Sequence, residues 1–288
     1  MSSEHVYHRS STQYTEGVKS VSVVHERGRG IAWRIWPGAH VLLDWLENNP
    51  SEWLSHPCHC IEIGAGVGLV GVVCAGLGAD RVTLTDLPEE LAALHRSMDS
   101  NPGTVRSRLR VMPLSFGNVD EINSIIRSYP DGSSLVVVGS ELIYWETLFV
   151  PIAETLHELV VNNHGVAFLG YRKRVWKTEK RFFTKVLKQY GLEAEVKGQW
   201  LAIEEDGSSQ KTDGHVVYTE CNGDEESEEW NTRVYKITAR KIPIVIPEQD
   251  TSWKKKDFVK APEIVEEKVE KKKKPSKIVK KEKKGRIR

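Results

Sequence analysis

Short apolar segments alternate with amphipathic ones through most of this 288-residue chain. His59–Ile63 precedes an apolar segment at 67–77, and Ser134–Gly139 precedes the amphipathic Leu148–Val161. Apolar strands of about 4–8 residues separated by helices of about a dozen are typical of a parallel sheet covered on both faces. The pattern therefore predicts an α/β fold in which ligands bind outside the carboxyl ends of the strands.

The ends of the chain differ in composition from its middle. Residues 254–288 hold 16 Lys and Arg against 6 Asp and Glu, which leaves 25 basic and 34 acidic residues in 1–253. Such a lysine-rich segment has too little apolar surface to offset its ordering entropy. We therefore expect a loosely ordered N-terminus at 1–28, one domain at 29–245 and a disordered tail at 246–288.

The composition also limits where the protein works. The first residues have no apolar run after a basic start, and no apolar stretch reaches the roughly 20 residues that cross a bilayer. Four cysteines are too few and too irregular for a disulfide framework, which favours a reducing compartment. We expect a cytoplasmic protein without membrane contact, with the nucleus as a second location.

The glycine-rich segment that follows His59–Ile63 matches two binding motifs. Read from Gly66 to Gly71, it is a GxGxxG dinucleotide fingerprint, which indicates a nicotinamide or flavin enzyme. Read from Glu62, it is an acid followed by alternating glycines at Gly64, Gly66 and Gly68, with Ala65 between the first two. Glycines in either frame allow a tight turn and close approach of a ligand to the backbone.

Two features favour the second frame. Gly64 directly follows the strand, so the loop begins there. A carboxylate at Glu62 suits a ligand that carries an ammonium and a sulfonium better than one that carries a pyrophosphate. Asp86, at the end of the next strand, can accept hydrogen bonds from ribose hydroxyls, although nicotinamide sites share this feature. The segment is therefore interpreted as a site for S-adenosylmethionine, and a loop that merely packs is the alternative.

Further segments follow the order in which they occur in one known protein family. With them, the chain resembles the family 16 group of seven-β-strand methyltransferases, the methyltransferase-like 21 type of protein-lysine methyltransferases, from about residue 30 to 240. The segments that carry the resemblance are Ile35-Trp36-Pro37-Gly38, Glu62-Ile-Gly64-Ala-Gly66, Thr85-Asp86, Leu114-Ser-Phe116-Gly117, Ser140-Glu141-Leu-Ile-Tyr144 and Tyr171-Arg172-Lys173-Arg174.

The resemblance implies a Rossmann-like seven-stranded sheet, mostly parallel with an antiparallel last strand, and helices on both faces. It implies that S-adenosylmethionine is the cofactor and that a protein presenting a lysine is the substrate. It further implies a cofactor lining made of Trp36, Gly64, Ala65, Gly66, Asp86, Phe116 and Ser140. The position of Phe116 after the third strand agrees, since an aromatic ring there can cover an adenine face.

Glu141 and Tyr144 are the candidate catalytic residues. A lysine amine has an ordinary pKa of about 10.4, so it must lose a proton before it attacks a methyl group. A carboxylate and a phenol oxygen three residues apart on one helical turn can hold and aim such an amine. The resembling family usually has Asp where Glu141 stands. A helix-capping acid and a packing tyrosine are the alternative interpretation.

Three other interpretations stay open or are set aside. The cluster at His56–Cys60 lacks a second cluster at zinc-site spacing, so no metal site is predicted. The tail at 254–288 could contact nucleic acid or a ribosome, which leaves a nucleic-acid methyltransferase as an alternative function. A non-catalytic binding protein that keeps the fold is a further alternative.

Overall fold

The computed structural model describes residues 3–128, 132–204, 216–220 and 230–240. The predicted tail at 246–288 lies outside these residues, as does most of the acidic segment at 204–229. In the described part, no helix is long and apolar enough to span a membrane.

Ten strands are described, of which eight form one sheet in the order β5-β4-β3-β6-β7-β10-β8-β9. Strands β3 to β7 run parallel, whereas β10 is antiparallel to both β7 and β8. This confirms the predicted seven-stranded sheet with its antiparallel last strand, and β9 adds an eighth strand at the edge. The strands are β1 Ser3–Ser10, β2 Ser20–Arg27, β3 Cys58–Glu62, β4 Arg81–Asp86, β5 Leu109–Pro113, β6 Ser134–Ser140, β7 Val166–Arg172, β8 Leu192–Glu204, β9 Val216–Glu220 and β10 Thr232–Ala239.

Eight α-helices connect the described strands, and some predicted helices are interrupted. The predicted helix at Leu148–Val161 is an α-helix that continues as a π-helical turn at His157–Asn162. The helical stretch from Trp176 to Gln189 likewise contains a π-helical turn, Phe182–Val186. The α-helices are α1 Pro37–Asn48, α2 Leu69–Leu77, α3 Leu91–Asp99, α4 Gly103–Arg106, α5 Val119–Ile126, α6 Phe149–Leu156, α7 Trp176–Arg181 and α8 Leu187–Gln189.

Two hydrophobic cores lie on opposite faces of the sheet. Side chains of a strand point to alternate faces, so neighbours in sequence enter different cores. Cys60 of β3 packs in the core beneath α1 and α2, whereas Ile61 packs in the core beneath α5 and α6. Val136 and Val137 of β6 divide in the same way. Helices therefore cover both faces, as predicted.

The N-terminus differs from the prediction of loose order. Strands β1 and β2 pair antiparallel over their full length, and Val21 and Val23 of β2 are fully buried. Asn101, just after α3, binds the backbone of Ser22 through both its oxygen and its nitrogen. Arg9 forms ion pairs with two acids of α1. The prediction was wrong here because it relied on polar composition and overlooked the alternation of valines in β2.

Candidate functional site

The glycine loop leaves the carboxyl end of β3 and turns into α2. Gly64, Gly66 and Gly68 all have positive φ, at 57°, 57° and 79°. A Cβ on Gly64 would lie 2.7 Å from Leu142 Cδ2, and one on Gly66 would lie 2.8 Å from the carbonyl oxygen of Ala32. Both the backbone conformation and the space therefore require glycine.

Glu62 faces the helix that follows the loop. Its carboxylate is buried and accepts a hydrogen bond from the amide of Gly71, in the first turn of α2, at 2.7 Å. Burial raises the pKa of Glu62 to about 8, although the amide hydrogen bonds oppose this shift. The structure thus gives Glu62 a role in holding α2, whereas the sequence interpretation aimed it at a ligand.

Asp86 fastens the loop from the neighbouring strand. Its Oδ2 accepts from the amide of Gly66 at 2.7 Å, and its Oδ1 accepts from the amide of Leu87 at 2.8 Å. Burial raises the pKa of this carboxyl group, and the two amides oppose the rise. A carboxylate has about four acceptor sites, so Asp86 retains capacity for the hydroxyls of a ligand.

Residues 30–36, named here the covering segment, cross the glycine loop. Trp33 is buried, and its Nε1 donates to Glu90 Oε2 at 2.9 Å, just before α3. Trp36 is half-buried, and its Nε1 donates to the carbonyl of Ile31 at 3.0 Å. The segment therefore has one indole that anchors it and a second, Trp36, that stays accessible beside the loop.

The remaining predicted cofactor residues also lie at this edge. Phe116 is half-buried, and its Cζ would lie 3.1 Å from a Cβ on Gly64. Ala65 donates its amide to the carbonyl of Thr85 at 2.8 Å, which ties the loop to β4. Ser140 ends β6 and is half-buried. The structure thus brings these residues to one edge, and which of them touch the cofactor stays a prediction.

Glu141 begins the turn after β6 in a left-handed conformation, with φ at 59°. Its side chain is only 4% exposed. Oε1 accepts from the amide of Gly38 in α1 at 2.8 Å, and Oε2 accepts from Arg174 Nη2 at 2.5 Å. Burial raises the pKa of Glu141, and the charge of Arg174 opposes the rise. Both carboxylate oxygens are therefore engaged within the protein.

Tyr144 lies between the cofactor side and the charged turn after β7. The Arg174 Cζ is 5.5 Å from its ring centroid, and the ring of Trp145 is 4.7 Å away. Burial raises the pKa of Tyr144, the charge of Asp86 adds to the rise, and the charge of Arg174 opposes it. The charges of Asp86 and Arg174 thus have opposite effects on the pKa of Tyr144.

The sequence interpretation did not predict two contacts of the site, those of Gly38 and Arg174 with Glu141. Arg174 was placed at the rim of the sheet, but no partner was assigned to it. Gly38 was seen only as part of the segment after Trp36. The bond from Gly38 to Glu141 spans 103 positions of sequence, and the bond from Arg174 to Glu141 spans 33. The position of Arg174 just past the end of β7 was the one available signal.

The cysteine and histidine cluster at His56–Cys60 continues into β3, and its two cysteines pack in the hydrophobic core. Cys58 and Cys60 are buried thiols, and His56 Nδ1 pairs with Asp80 Oδ2 at 2.8 Å. Among the described residues, no group of three or more His, Cys, Asp or Glu side chains is arranged to hold a metal ion.

Comparison with known proteins decides the family. A family model described as "Lysine methyltransferase" matches residues 17–189, more than half of the chain. The chain belongs to this lysine methyltransferase family. The protein N-lysine methyltransferase METTL21A of Mus musculus is 33% identical over 165 residues, which cover 57% of this chain and 71% of that protein.

Two further comparisons give similar names. The EEF1A lysine methyltransferase 3 of Mus musculus is 33% identical over 163 residues, which cover 56% of this chain and 64% of that protein. The solved glycopeptide N-methyltransferase MtfA, complexed with S-adenosyl-L-methionine, is 14% identical with a TM-score of 0.39, covering 68% of this chain and 86% of that chain.

This lysine methyltransferase uses S-adenosylmethionine. The residues at the glycine loop fit that cofactor. Gly64, Gly66 and Gly68 carry no side chains and turn with positive φ, so no Cβ shields the backbone of the loop from a ligand. Asp86, fastened to the amide of Gly66, presents a carboxylate with spare acceptor capacity. The protein is therefore a methyltransferase, and these residues are its candidate cofactor site.

Proposed function

We propose that the protein methylates the side-chain amine of a lysine in another protein. The observation that carries the proposal is the juxtaposition at one sheet edge of the glycine loop, fastened by Asp86, and the Glu141–Arg174 pair with Tyr144. The family description and the names of the relatives support lysine as the acceptor.

On the cofactor side, Gly64, Gly66 and Asp86 would hold S-adenosylmethionine, with Trp36 and Phe116 beside them. When bound, the cofactor would supply a methyl group from its sulfonium to the neutral amine of a lysine, and the thioether S-adenosylhomocysteine would leave. The covering segment and the two aromatic rings exclude water from this edge, which strengthens every electrostatic interaction inside it.

On the acceptor side, Tyr144 is assigned to the amine. Its phenol oxygen accepts a hydrogen bond from the ammonium and then directs the lone pair of the neutral amine. The positive charge of Arg174, 5.5 Å from the Tyr144 ring, disfavours a second cation nearby and so favours loss of the lysine proton. Glu141 acts through orientation and electrostatics, because both of its oxygens are already engaged.

Transfer of tritium from labelled S-adenosylmethionine tests the proposal. The protein is incubated with a cell lysate, with and without nuclease, and label is counted in protein and nucleic-acid fractions. We expect nuclease-resistant label in protein and methyl-lysine after acid hydrolysis. Label confined to RNA or DNA would overturn the proposal.

Purified EEF1A is the first defined acceptor to test, because one relative is named for it. Mass spectrometry of the labelled protein identifies the modified residue and the number of methyl groups. Label on other lysate proteins with none on EEF1A would keep the lysine activity and exclude this acceptor.

The basic tail is assigned to a second contact, with nucleic acid or with a ribosome. Its 16 Lys and Arg against 6 Asp and Glu give a strongly cationic segment at 254–288. Binding of this type weakens steeply with salt, because counterions are released from phosphates. Deletion of 254–288 should abolish salt-sensitive sedimentation with ribosomes while leaving transfer to a free protein acceptor unchanged. Equal sedimentation of both forms would contradict this role.

A further inference from the structure

The amide of Gly38 depends on a distant side chain. Gly38 is the second residue of α1, and amides in the first turn of a helix have no acceptor within the helix. Glu141 Oε1 supplies that acceptor from the end of β6 at 2.8 Å. The start of α1, which directly follows the covering segment, is therefore held by Glu141.

Glu141 in turn depends on Arg174. Its side chain is 4% exposed, and the side chain of Arg174 is 34% exposed. A buried carboxylate without a cation gains a proton, and a neutral carboxyl group is a weaker acceptor than a carboxylate. The positive charge of Arg174, and to a smaller extent that of Arg172, lowers the pKa of Glu141 against the effect of burial. Loss of Arg174 should therefore weaken the bond to Gly38.

Arg174 is itself held in place by a buried acid. Glu179 Oε2 accepts from the amides of Arg174 and Val175 at 2.9 and 3.0 Å and from the hydroxyl of Tyr171 at 2.5 Å. Arg181 offers a contrast, since it pairs with Glu146 where both side chains are 53% exposed. Arg174 thus has a fixed backbone and a buried partner, whereas Arg181 forms an ordinary surface pair.

We propose that Arg174 is a positioning residue that couples the two sides of the site. Through Glu141 it holds the start of α1 and, with it, the covering segment over the glycine loop. Its guanidinium also lies beside the Tyr144 ring. The side chain of Arg174 therefore positions both the covering segment and Tyr144. The inference rests on the proposed function only where transfer is measured.

Amide hydrogen exchange at Gly38, measured by NMR on the full chain without ligand, tests the link directly. Arg174→Gln and Glu141→Gln should each speed exchange about tenfold. The double variant should be no faster than the faster single one, because both substitutions weaken the same link. Arg181→Gln, the matched control, should leave Gly38 unchanged. Unchanged exchange at Gly38 in Arg174→Gln would overturn the proposal.

Transfer of tritium to lysate proteins tests the consequence for the reaction. Arg174→Gln should lower the maximal labelling rate about tenfold, with a smaller change in the KM for S-adenosylmethionine, and Arg174→Lys should recover part of the rate. The loss should shrink as the pH rises, because a higher pH returns the negative charge to Glu141. A loss equal at every pH, with no recovery by Lys, would overturn it.

The two readouts separate the two proposals. Wild-type protein that labels no acceptor, together with faster Gly38 exchange in Arg174→Gln, refutes the proposed function and supports the link. Wild-type protein that labels acceptors, together with unchanged exchange in Arg174→Gln, supports the function and refutes the link.

Discussion

The two sides of the site are built in different ways. The cofactor side consists of backbone: three glycines in left-handed conformations, and amides that donate to Asp86. The acceptor side consists of side chains from separate elements, with Glu141 after β6 and Arg174 after β7. The glycine loop and Asp86 lie within about 25 residues of sequence. Glu141 and Arg174 are 33 positions apart and meet only because the fold brings the ends of β6 and β7 together.

This difference determines how each side should fail. A backbone site fails when a Cβ enters it, because neither the strand before it nor the helix after it can move without loss of packing. Removal of one side chain from the acceptor side should cause only a partial loss of activity, because a single hydrogen bond contributes a modest free energy. Substitutions on the two sides should therefore differ in size and in which of the two ligands they affect.

The largest effect is expected for Gly66→Ala. Alanine disfavours the φ of 57°, and its Cβ would lie 2.8 Å from the carbonyl oxygen of Ala32. Affinity for S-adenosylmethionine should fall at least about 100-fold by titration calorimetry. Gly103→Ala is the matched control, since nothing lies within 4 Å of its Cβ. Equal affinity in both variants would show that the loop is not the cofactor site.

Tyr144→Phe should lower the rate of methyl transfer and leave cofactor affinity unchanged, and the change should be smaller than that expected for Gly66→Ala. The ring and its contact with Arg174 remain, but the phenol oxygen is lost. Transfer should fall between about 10- and 100-fold, the range for one hydrogen bond to a charged group, while affinity for S-adenosylmethionine stays unchanged. Trp145→Phe, in the neighbouring ring, serves as the control. A parallel loss of cofactor affinity in Tyr144→Phe would place this tyrosine on the cofactor side.

The cofactor side was also the more predictable of the two. Strand β3 and the glycine loop lie next to each other in sequence, so a short apolar run and the spacing of the glycines were enough to locate them. The Gly38–Glu141–Arg174 contacts join three separate elements. Single-sequence patterns carry no information on which loops meet, because that depends on strand order and on the twist of the sheet.

The orientation of Glu62 was predictable but was missed. Cys58 and Cys60 pack in the core beneath α2, and Ile61 and Ile63 pack in the opposite core. Alternation therefore places Glu62 on the face of Cys60, towards α2, where its carboxylate meets Gly71. The sequence argument considered only that Glu62 lies near the strand end, and it left out the face on which the side chain points.

Asp86→Asn should cause a moderate loss of affinity for S-adenosylmethionine. One oxygen of the carboxylate becomes an NH₂ group, which cannot accept from the amide of either Gly66 or Leu87. Affinity for S-adenosylmethionine should fall about tenfold. Asp120→Asn, at an exposed position in the first turn of α5, is the control for the same chemical change. If Asp86→Asn binds as tightly as the wild type, Asp86 serves only the neighbouring turn.

The smallest effect concerns stability alone. Burial raises the pKa of Glu62 to about 8, so the folded protein binds this proton more tightly than the unfolded chain does. The stability from this group is present below the ordinary glutamate pKa and is lost as pH rises through about 8. Glu62→Gln keeps an acceptor for Gly71 and removes the titration.

The denaturant midpoint of the wild type should therefore decline more between about pH 5.5 and about pH 8.5 than that of Glu62→Gln. The exposed Glu193→Gln should follow the wild type. Cofactor affinity of Glu62→Gln should change little, because the Glu62 side chain is buried and its Oε2 is engaged with the amide of Gly71. A large loss of affinity with no change in the pH dependence of stability would return Glu62 to the cofactor, where the sequence alone had placed it.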